Sequence, residues 1–586
     1  MNGFLLEGRF GFLGKRPDDD IQAMDDQGWH KARSIDATTL WVRGDMTVRD
    51  LAWGWIVGEL FERGSGRPAP AAPTGLQPPD ISIDMLCERL VRDFWGRYVA
   101  IFPSDRAVLR DPSGHLDSLV WSSPTAWIVA SDLPDDLPTS FLPRELEIDW
   151  AAITMMLRDE NAMGSGMGLR GLEQIRPGSL RSFTNAPVDR IVWDPSTFAA
   201  NPYPSYEASR RAVIEAVEES LTAETSSDDA LLAEISGGLD SAIVTSTLVK
   251  IGASKRTHFV HYHVDEPAAD ERRFARAVAH HIDVRLLEVV KPELLIDDQS
   301  LQDMPVGVRA SNNAMDRHYD QSQADLVRRF GARRILTGQG GDMVFYQSPS
   351  EKMGAELWGR WARRPRADPV WRQLEDAARW NRGSTWSLLG EAVRDAISRR
   401  DRGQSDHPWL ARSIAPTKQR QVSSLIHSQA LFNGASRRGR EAQLVHPLLH
   451  QPVLEATLSA PVIDLARGGR GRSLARDAFG DRIPEIVRHR RSKGDLTAYY
   501  GRMVLRSLPT LRTYLLEGRL AAEGMLDLKG LDEGLDPDRM IHAGKYPRLF
   551  QIIGIEAFVR HWEGRFASVV AGGEARRSAS QGRTSA

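Results

Sequence analysis

A hexapeptide near the middle of the chain combines residue types that bind phosphate in proteins. It follows the apolar-leaning run 230–235, precedes a helix-favouring stretch at 242–250, and consists of Ser236, Gly237, Gly238, Leu239, Asp240 and Ser241. The two glycines allow a sharp turn and a close approach of the backbone to a ligand. Amide groups of the turn and of the first helical turn then face the anion, and the serine hydroxyls add two donors. An ordinary helix-capping turn at Ser236 is the simpler alternative.

Asp240 is not expected to contact a phosphate directly, because its negative carboxylate and the phosphate repel each other. A second glycine-bearing turn, 337–342, follows another strand-like run and also delivers an aspartate, Asp342. Mg²⁺ prefers one or two carboxylates together with phosphate oxygens. We therefore predict that Asp240 and Asp342 hold Mg²⁺ on a triphosphate, and that Thr337 and Gly338 also line the nucleotide site. Asp342 as a solvated turn residue is the alternative.

A third element is the basic turn 490–495, which contains Lys493. A lysine in such a turn is usually solvated. Placed beside the other two turns, its ammonium group would neutralise charge that develops at an α-phosphate or on an acyl adenylate. We therefore predict that Lys493 acts in catalysis together with Asp240 and Asp342.

The composition indicates a chain of at least two globular domains with no membrane and no nucleic acid among its partners. Its 586 residues, 41% hydrophobic and 26% charged, exceed the size of a single core. The net charge of −2 argues against nucleic-acid binding through a bulk positive field. No apolar run approaches the roughly 18 residues of a membrane helix, and the first residues do not form a secretory signal. The single cysteine, Cys87, excludes internal disulfides, which fits a cytoplasmic location.

The hydrophobic pattern changes near residue 200. Earlier residues contain short strand-like runs separated by turns, whereas helices and short apolar strands alternate afterwards. That alternation predicts a parallel sheet covered by helices on both faces, with ligands bound beyond the carboxyl ends of the strands. The strands predicted for this sheet are 230–235, 257–262, 284–289 and 334–337. We assign domains to residues 1–200 and 201–568, and we predict a disordered tail at 569–586.

The three elements, in this order, resemble the synthetase half of glutamine-dependent asparagine synthetase and of its relatives, β-lactam synthetase and the lasso-peptide cyclases. The hexapeptide by itself resembles the SGGxDS signature of the PP-loop ATP pyrophosphatases, which grips the pyrophosphate of ATP. In the first half of the chain, the stretches 94–98, 110–114 and 171–178 resemble the glutaminase domain of the same family.

This resemblance implies the fold class and the cofactors. The expected fold is α/β, with a degenerate N-terminal glutaminase-like (Ntn-type) β-rich domain and a PP-loop ATP pyrophosphatase (adenine nucleotide alpha hydrolase-like) domain built on a parallel sheet. ATP and Mg²⁺ are the expected cofactors. The residues expected to bind them are Ser236, Gly237, Gly238, Leu239, Asp240, Ser241, Thr337, Gly338 and Asp342.

Two departures from the family pattern bear on the chemistry. The family's glutaminase uses an N-terminal cysteine, whereas this sequence begins Met1, Asn2, Gly3, and its only thiol is Cys87 in a helix-like run, where a small buried role is expected. We therefore expect the nitrogen nucleophile to come with a substrate. Gln339 occupies the position of a glutamate in asparagine synthetase and of a tyrosine in β-lactam synthetase. A glutamine cannot act as a general base at neutral pH, so the base must lie elsewhere.

The segment between the second and third elements is rich in arginine and tryptophan. Its tryptophans are Trp358, Trp361, Trp371, Trp380, Trp386 and Trp409. They indicate either the core of a helical insert or an aromatic wall against which a peptide is held. His261 and His263 share a strand face but lack a third metal ligand, which favours a structural role.

We interpret the chain as an ATP-dependent ligase of the lasso-peptide cyclase type. It would adenylate an Asp or Glu side chain of a ribosomal peptide, and the peptide's N-terminal amine would then close a macrolactam, giving AMP and pyrophosphate. The expected partners are the precursor peptide, a leader peptidase and a leader-recognition protein. A β-lactam synthetase-like or asparagine synthetase-like ligase for small molecules, and a non-catalytic nucleotide-binding scaffold, are the alternatives.

Overall fold

The N-terminal region consists of two antiparallel six-stranded sheets that face each other. The computed structural model describes residues 2–9, 18–73, 75–76, 81–123, 125–159, 163, 166–184, 188–267, 269–292, 295–311, 315–363, 370–398, 407–411, 414–432, 434–490, 497–537 and 546–583. The strands of this region are β1 (Gly3–Arg9), β2 (Trp29–Ile35), β3 (Thr38–Arg43), β4 (Val48–Leu51), β5 (Gly54–Glu62), β6 (Phe94–Phe102), β7 (Ala107–Arg110), β8 (Leu119–Ser122), β9 (Ala126–Ala130), β10 (Glu147–Ile148), β11 (Leu169–Arg170), β12 (Glu173–Gln174), β13 (Ser179–Ser182) and β14 (Val188–Ile191).

The two sheets have the orders β12-β8-β9-β1-β3-β2 and β14-β13-β7-β6-β5-β4, and β10 pairs with β11. Successive side chains of a strand point to opposite faces, and β1 follows this rule: Phe4 and Leu6 enter the core between the sheets, whereas Leu5 enters a separate core on the outer face. Val57 of the second sheet belongs to the same inner core. Both faces of β1 are therefore buried.

Short helices cover the outer faces of this sandwich. They are α1 (Asp18–Asp26), α2 (Ile83–Asp93), α3 (Trp150–Arg158) and α4 (Pro195–Ala200), with a 3₁₀ turn at Thr139–Phe141. α2 begins where the Ser82 hydroxyl accepts a hydrogen bond from the Met85 amide, which satisfies one of the unpaired donors of the first turn. Its buried face includes Cys87.

The second region contains a parallel sheet, as the sequence predicts. Its strands are β15 (Ala230–Glu234), β16 (Thr257–His263), β17 (Leu286–Val290), β18 (Ala332–Leu336) and β19 (Gln443–Val445). Their order is β17-β16-β15-β18-β19, and all four pairings are parallel. The central strand β15 is covered on both sides: Leu231 and Ala233 join one core, and Leu232 joins another. The sequence did not predict β19.

Helices surround this sheet and form the C-terminal layers. In chain order they are α5 (Tyr206–Glu224), α6 (Leu239–Lys250), α7 (Arg272–His281), α8 (Asp298–Gln302), α9 (Arg317–Phe330), α10 (Gly341–Val344), α11 (Met353–Arg363), α12 (Val370–Trp380), α13 (Thr385–Ser398), α14 (Pro408–Ala411), α15 (Pro416–Phe432), α16 (Arg437–Glu441), α17 (Gln451–Ser459), α18 (Val462–Leu465), α19 (Ser473–Ala478), α20 (Glu485–Arg488), α21 (Thr497–Arg506), α22 (Leu508–Leu516), α23 (Arg519–Ala522), α24 (Leu528–Gly534) and α25 (Tyr546–Arg583). Two 3₁₀ turns lie at Ser254–Arg256 and Pro447–Leu449.

The final helix, α25, returns to the N-terminal sandwich. The Gln551 side chain donates to the carbonyl of Met156 at 2.6 Å, and Phe558 and Trp562 belong to the core that also contains Leu5. The helix continues to Arg583, whereas the sequence predicts a disordered tail from residue 569. Alanine, glutamate, arginine and glutamine favour helix in that stretch despite its polar composition.

A buried ion cluster also crosses the predicted boundary near residue 200. Arg97 on β6 donates to Glu224 on α5 at 2.7 Å and pairs with Glu59, and Arg334 on β18 contacts both carboxylates. The two carboxylates raise the pKa of Arg97 against the opposing effect of its burial. Strands β5 and β6 are thereby tied to the strand that leads into the 337–342 turn. The division into domains stays a prediction.

None of the helices in the described part of the chain combines the length and the apolar content needed to cross a bilayer.

Candidate functional site

A cavity of about 470 Å³ opens at the carboxyl ends of β15 and β18. The predicted site residues that line it are Ser236, Gly238, Leu239, Asp240, Ser241, Thr337, Gly338 and Asp342. Gly237 lies in the same loop but does not line the cavity, and Lys493 lies outside the described residues. Because the carboxyl ends of parallel strands meet at one edge of the sheet, the two glycine-bearing turns come together despite their separation in sequence.

The first turn is closed by its own serines. The hydroxyls of Ser236 and Ser241 lie 2.9 Å apart, and the Ser236 amide donates to the Ser241 hydroxyl at 3.1 Å. Gly237 has a φ of +80°, in the left-handed region that favours glycine. Gly238 is the N-cap of α6 and offers no capping side chain, so the first-turn amides of the helix remain available to an anion. Leu239 is buried and anchors the turn.

The second turn packs directly on the first. A Cβ atom at Gly338 would lie 2.6 Å from the carbonyl carbon of Asp240, so this approach requires glycine. The Thr337 hydroxyl contacts the His446 ring nitrogen Nδ1 at 2.8 Å and accepts from the Gln339 amide at 3.2 Å. Thr337 is thus fixed from the β19 side of the sheet, and Gln339 lines the cavity.

The two predicted metal ligands, Asp240 and Asp342, differ in their ion pairing. Asp240 accepts from Arg472 Nη1 at 2.6 Å, whereas Asp342 is exposed to the cavity and makes no ion pair with any described residue. Two carboxylates beside a phosphate-type loop are an oxygen donor set that suits Mg²⁺. The residues therefore fit the cation, although a metal on the paired oxygen of Asp240 requires Arg472 to share it or to move.

Three arginines form a basic wall of the cavity: Arg472, Arg476 and Arg490. Burial, with the neighbouring Arg470 and Arg472, lowers the pKa of Arg476 to about 10. A guanidinium whose pKa is lowered by burial and by neighbouring cations is in an electrostatic state that a bound polyphosphate would relieve.

Backbone geometry fixes Arg472 in this wall. It has a φ of +60°, and its amide donates to the carbonyl of Tyr346, which also has a positive φ. The preceding Gly471 approaches Gln347 so closely that a side chain would not fit. The guanidinium of Arg472 is therefore held by the segment that follows the 337–342 turn.

Arg490 contacts the first turn directly. It pairs with both carboxylate oxygens of Glu271, donates to the carbonyl of Gly237 at 3.3 Å, and stacks 3.7 Å above the ring of Phe274. Lys493 follows only three residues later, and its catalytic role stays a prediction.

Sequence reasoning did not assign any site role to Arg472, Arg476 or Arg490. The available signal was the concentration of arginines between residues 470 and 490 in a chain whose net charge is only −2. The histidines of β16 have local partners: His261 Nδ1 contacts the carbonyl of Ile235 at 2.8 Å. Within the described residues, no three histidine, cysteine or acidic side chains are arranged to hold a metal ion.

A parallel sheet whose central strand leads into a glycine-bearing anion loop, beside a wall of arginines, defines an α/β enzyme that acts on a nucleotide. The family model for asparagine synthase matches residues 212–560, which is more than half of the chain, and the chain belongs to this family. It is therefore an ATP-dependent amide-forming ligase. No individual curated protein matches the chain significantly.

Proposed function

We propose that this ligase closes a macrolactam in a ribosomal peptide. An Asp or Glu side chain of the peptide attacks the α-phosphate of ATP, and pyrophosphate leaves. The N-terminal amine of the same peptide then attacks the acyl adenylate, and AMP leaves. Joining two ends of one molecule makes the second step intramolecular, which lowers its entropic cost.

The observation that carries this proposal is the state of the only thiol. Cys87 lies on the buried face of α2, and burial raises the pKa of its thiol to about 12. A buried protonated thiol is not a nucleophile, so no cysteine of this sequence can release ammonia from glutamine. We infer that the amine arrives as part of a substrate, as it does in a peptide with a free N-terminus.

The residues of the cavity, together with Gly237 in the first turn and Lys493, would divide the roles of the first step. Ser236, Gly237, Gly238, Leu239 and Ser241 would hold the pyrophosphate through hydroxyl and amide donors. Arg472 and Arg476 would balance its charge, and Thr337 and Gly338 would border the α-phosphate. Asp240 and Asp342 would hold Mg²⁺, which supplies neutralisation of the triphosphate when bound. Lys493 would stabilise charge at the reacting α-phosphate.

The helical insert after the second turn supports a peptide rather than a free amino acid as the substrate. Trp358, Trp371 and Trp386 are 47%, 56% and 78% exposed, one on each of α11, α12 and α13. By contrast, Trp409 is buried, Trp380 is packed against the core, and the side chain of Trp361 lies outside the described residues. Exposed tryptophans present large aromatic faces with a polar N–H, which would suit them to holding a peptide.

The insert also adjoins the nucleotide cavity. A Cβ atom at Gly469 would meet the backbone of Asp376 on α12, and Gly469 precedes Arg472 by three residues. A precursor peptide held on the insert would thus lie close to the arginine wall. A leader peptidase and a leader-recognition protein would prepare and deliver that peptide.

The test is to incubate the enzyme with ATP, Mg²⁺ and leaderless candidate peptides, and to measure loss of one water by mass spectrometry. Fragmentation should place an isopeptide bond between the first residue and an internal Asp or Glu, and AMP should form in equal amount. ADP as the stoichiometric product would exclude adenylation. If a small β-amino acid triggers pyrophosphate release and no peptide does, the β-lactam synthetase-like alternative holds. No ATP turnover with any substrate would favour a scaffold.

A further inference from the structure

A third carboxylate lines the cavity, and the proposed roles above do not use it. Glu234 is the last residue of β15, two positions before the first turn, and it lines the cavity together with Tyr319 of α9. The base position at Gln339 holds an amide, which cannot take a proton at neutral pH. The cavity therefore contains one carboxylate without an assigned role, Glu234, and no residue is yet assigned as the general base.

Glu234 lies on a different face of the sheet from the phosphate-binding helix. Alternation along β15 places it on the same face as Leu232, whose core includes Leu326 and Val327 of α9. Leu231 and Ala233 face the other way, into the core that contains α6 residues such as Ile243. The amide groups of α6 that would bind phosphate and the carboxylate of Glu234 thus approach the same cavity from opposite faces of β15.

Tyr319 fixes the orientation of this carboxylate. Its hydroxyl donates to Glu234 Oε2 at 2.6 Å, and among the described residues this is the only side-chain hydrogen bond that Glu234 accepts. Burial and the adjacent carboxylate raise the pKa of Tyr319 well above its usual value, so the hydroxyl keeps its proton and remains a donor. The second carboxylate oxygen is left for a ligand.

Two cations lie close to the ring of Tyr319. Lys291 Nζ lies 5.4 Å and the Arg438 guanidinium 4.9 Å from the ring centroid. Lys291 also lies 5.3 Å from the ring of Tyr499 and pairs with Asp316, whose other oxygen accepts from the Tyr319 amide. Such cation–π packing restricts the ring, which makes Tyr319 a positioning residue for Glu234.

We propose that Glu234 receives the attacking amine as its ammonium form and takes its proton before amide formation. A carboxylate is the natural partner of a cationic ammonium group, and Glu234 is the one carboxylate among the described lining residues that the proposed roles do not assign to Mg²⁺. This inference rests on the proposed function, because it names the residue that prepares the nucleophile of the same reaction.

The proton and electron balance of the step is complete. The ammonium gives one proton to the Glu234 carboxylate, and the freed nitrogen lone pair attacks the acyl carbon. The bond between the acyl carbon and the AMP oxygen breaks, and the electron pair leaves with AMP. The second proton of the nitrogen is lost as the amide forms and passes to the phosphate group of the departing AMP or to water.

The experiment separates proton removal from adenylation by changing the nucleophile. Glu234→Gln is assayed with the peptide that the water-loss assay identifies, and with its N-acetylated form plus hydroxylamine, an amine that is already unprotonated at neutral pH. Macrolactam formation should fall about 10²-fold or more, as expected for a lost general base. Hydroxamate formation and equilibrium ATP binding should stay within about twofold of wild type.

Two further variants complete the test. Tyr319→Phe keeps the aromatic ring near its two cations but removes the hydroxyl that donates to Glu234. This variant should slow only macrolactam formation. Glu288→Gln, which removes a carboxylate of β17 that pairs with Arg276 at 2.6 Å, is the matched control and should behave as wild type. Thermal melting establishes that each variant is folded.

Each outcome decides the proposal. If Glu234→Gln loses macrolactam, hydroxamate and ATP binding in parallel, Glu234 contacts the nucleotide, for instance the adenine amino group, and the inference is wrong. If the variant cyclises normally, the base lies elsewhere. If the wild type adenylates no peptide, the proposed function and this inference both fail. If the wild type adenylates the peptide and Glu234→Gln forms the macrolactam at the wild-type rate, only the inference fails.

Discussion

Gly341 lies directly against the side chain of Asp240. A Cβ atom at position 341 would stand 2.5 Å from Asp240 Cγ and 2.7 Å from its Oδ1. The aspartate of the first turn is thus positioned by the backbone of the second, immediately before Asp342. This contact sets the relation between the two carboxylates.

Gly341→Ala is expected to displace the Asp240 carboxylate and to slow pyrophosphate release about 10²-fold, the usual cost of misplacing a reacting group by an ångström. Gly390→Ala is the matched control, because a Cβ atom there, on α13, meets no atom within 4 Å. The control should keep its rate and gain about 0.5–1 kcal/mol in stability. Normal turnover by a folded Gly341→Ala enzyme would contradict this account.

Asp240→Asn and Asp342→Asn should each lower the rate by about 10²-fold or more, since each removes an electrostatic stabiliser of the triphosphate. Asp342→Asn is the cleaner variant, because Asp240 also pairs with Arg472. Pyrophosphate release measured against Mg²⁺ concentration should show a raised half-saturation point for Asp342→Asn. Asp325→Asn, which affects an exposed pair with Arg328 on α9, should leave the Mg²⁺ dependence unchanged. If Asp240→Asn and Asp342→Asn both showed the wild-type dependence of pyrophosphate release on Mg²⁺ concentration, neither residue would be a ligand of Mg²⁺.

Lys493→Ala should bind ATP almost normally but turn over slowly, because its charge matters most in the transition state. Steady-state kinetics should show a lower kcat at nearly constant KM for ATP. Lys250→Ala, at the exposed end of α6, provides the control. Equal losses of affinity and rate would make Lys493 a binding residue instead.

Cys87→Ala should leave ATP turnover unchanged and cost on the order of 1 kcal/mol of stability, as expected for a buried side chain that loses a heavy atom. Neither the wild type nor the variant should release glutamate from glutamine. Glutamate release that disappears in Cys87→Ala would restore a glutaminase function and overturn the argument from the buried thiol.

Acid should destabilise the fold through His450. Burial, with neighbouring His115 and Arg97, lowers its pKa well below the usual 6.5, and its Nδ1 contacts the Ser220 hydroxyl at 2.7 Å. Below about pH 6.5, His450 is protonated in the unfolded chain but stays neutral in the folded chain. This single group therefore removes about 1.4 kcal/mol of stability per pH unit as pH falls.

The measurement is the melting temperature between pH 7 and pH 5. The wild type should melt at lower temperature as the pH falls, and His450→Gln should show a shallower dependence because its side chain does not titrate. Its melting temperature at pH 7 should be lower than that of the wild type, since the buried contacts change. Parallel pH profiles would show that His450 is already protonated in the folded chain.

The sequence by itself determined the parallel sheet and the two glycine-bearing turns. These features depend on short-range signals: apolar strands of a few residues, glycines where the backbone turns, and a helix that begins immediately afterwards. Such signals are local, so the loop at 236–241 and the turn at 337–342 could be predicted to meet at one sheet edge. The match to the asparagine synthase family, over residues 212–560, includes both turns.

Tertiary structure alone decided which charged groups share the cavity. Arg472 meets Asp240 across 232 positions, and Tyr319 meets Glu234 across 85. No local pattern encodes such pairs, because they depend on how α9 and the 468–472 segment pack on the finished sheet. The short strand β19 was missed for the same reason: three residues carry little periodicity, and pairing with β18 is what makes them a strand.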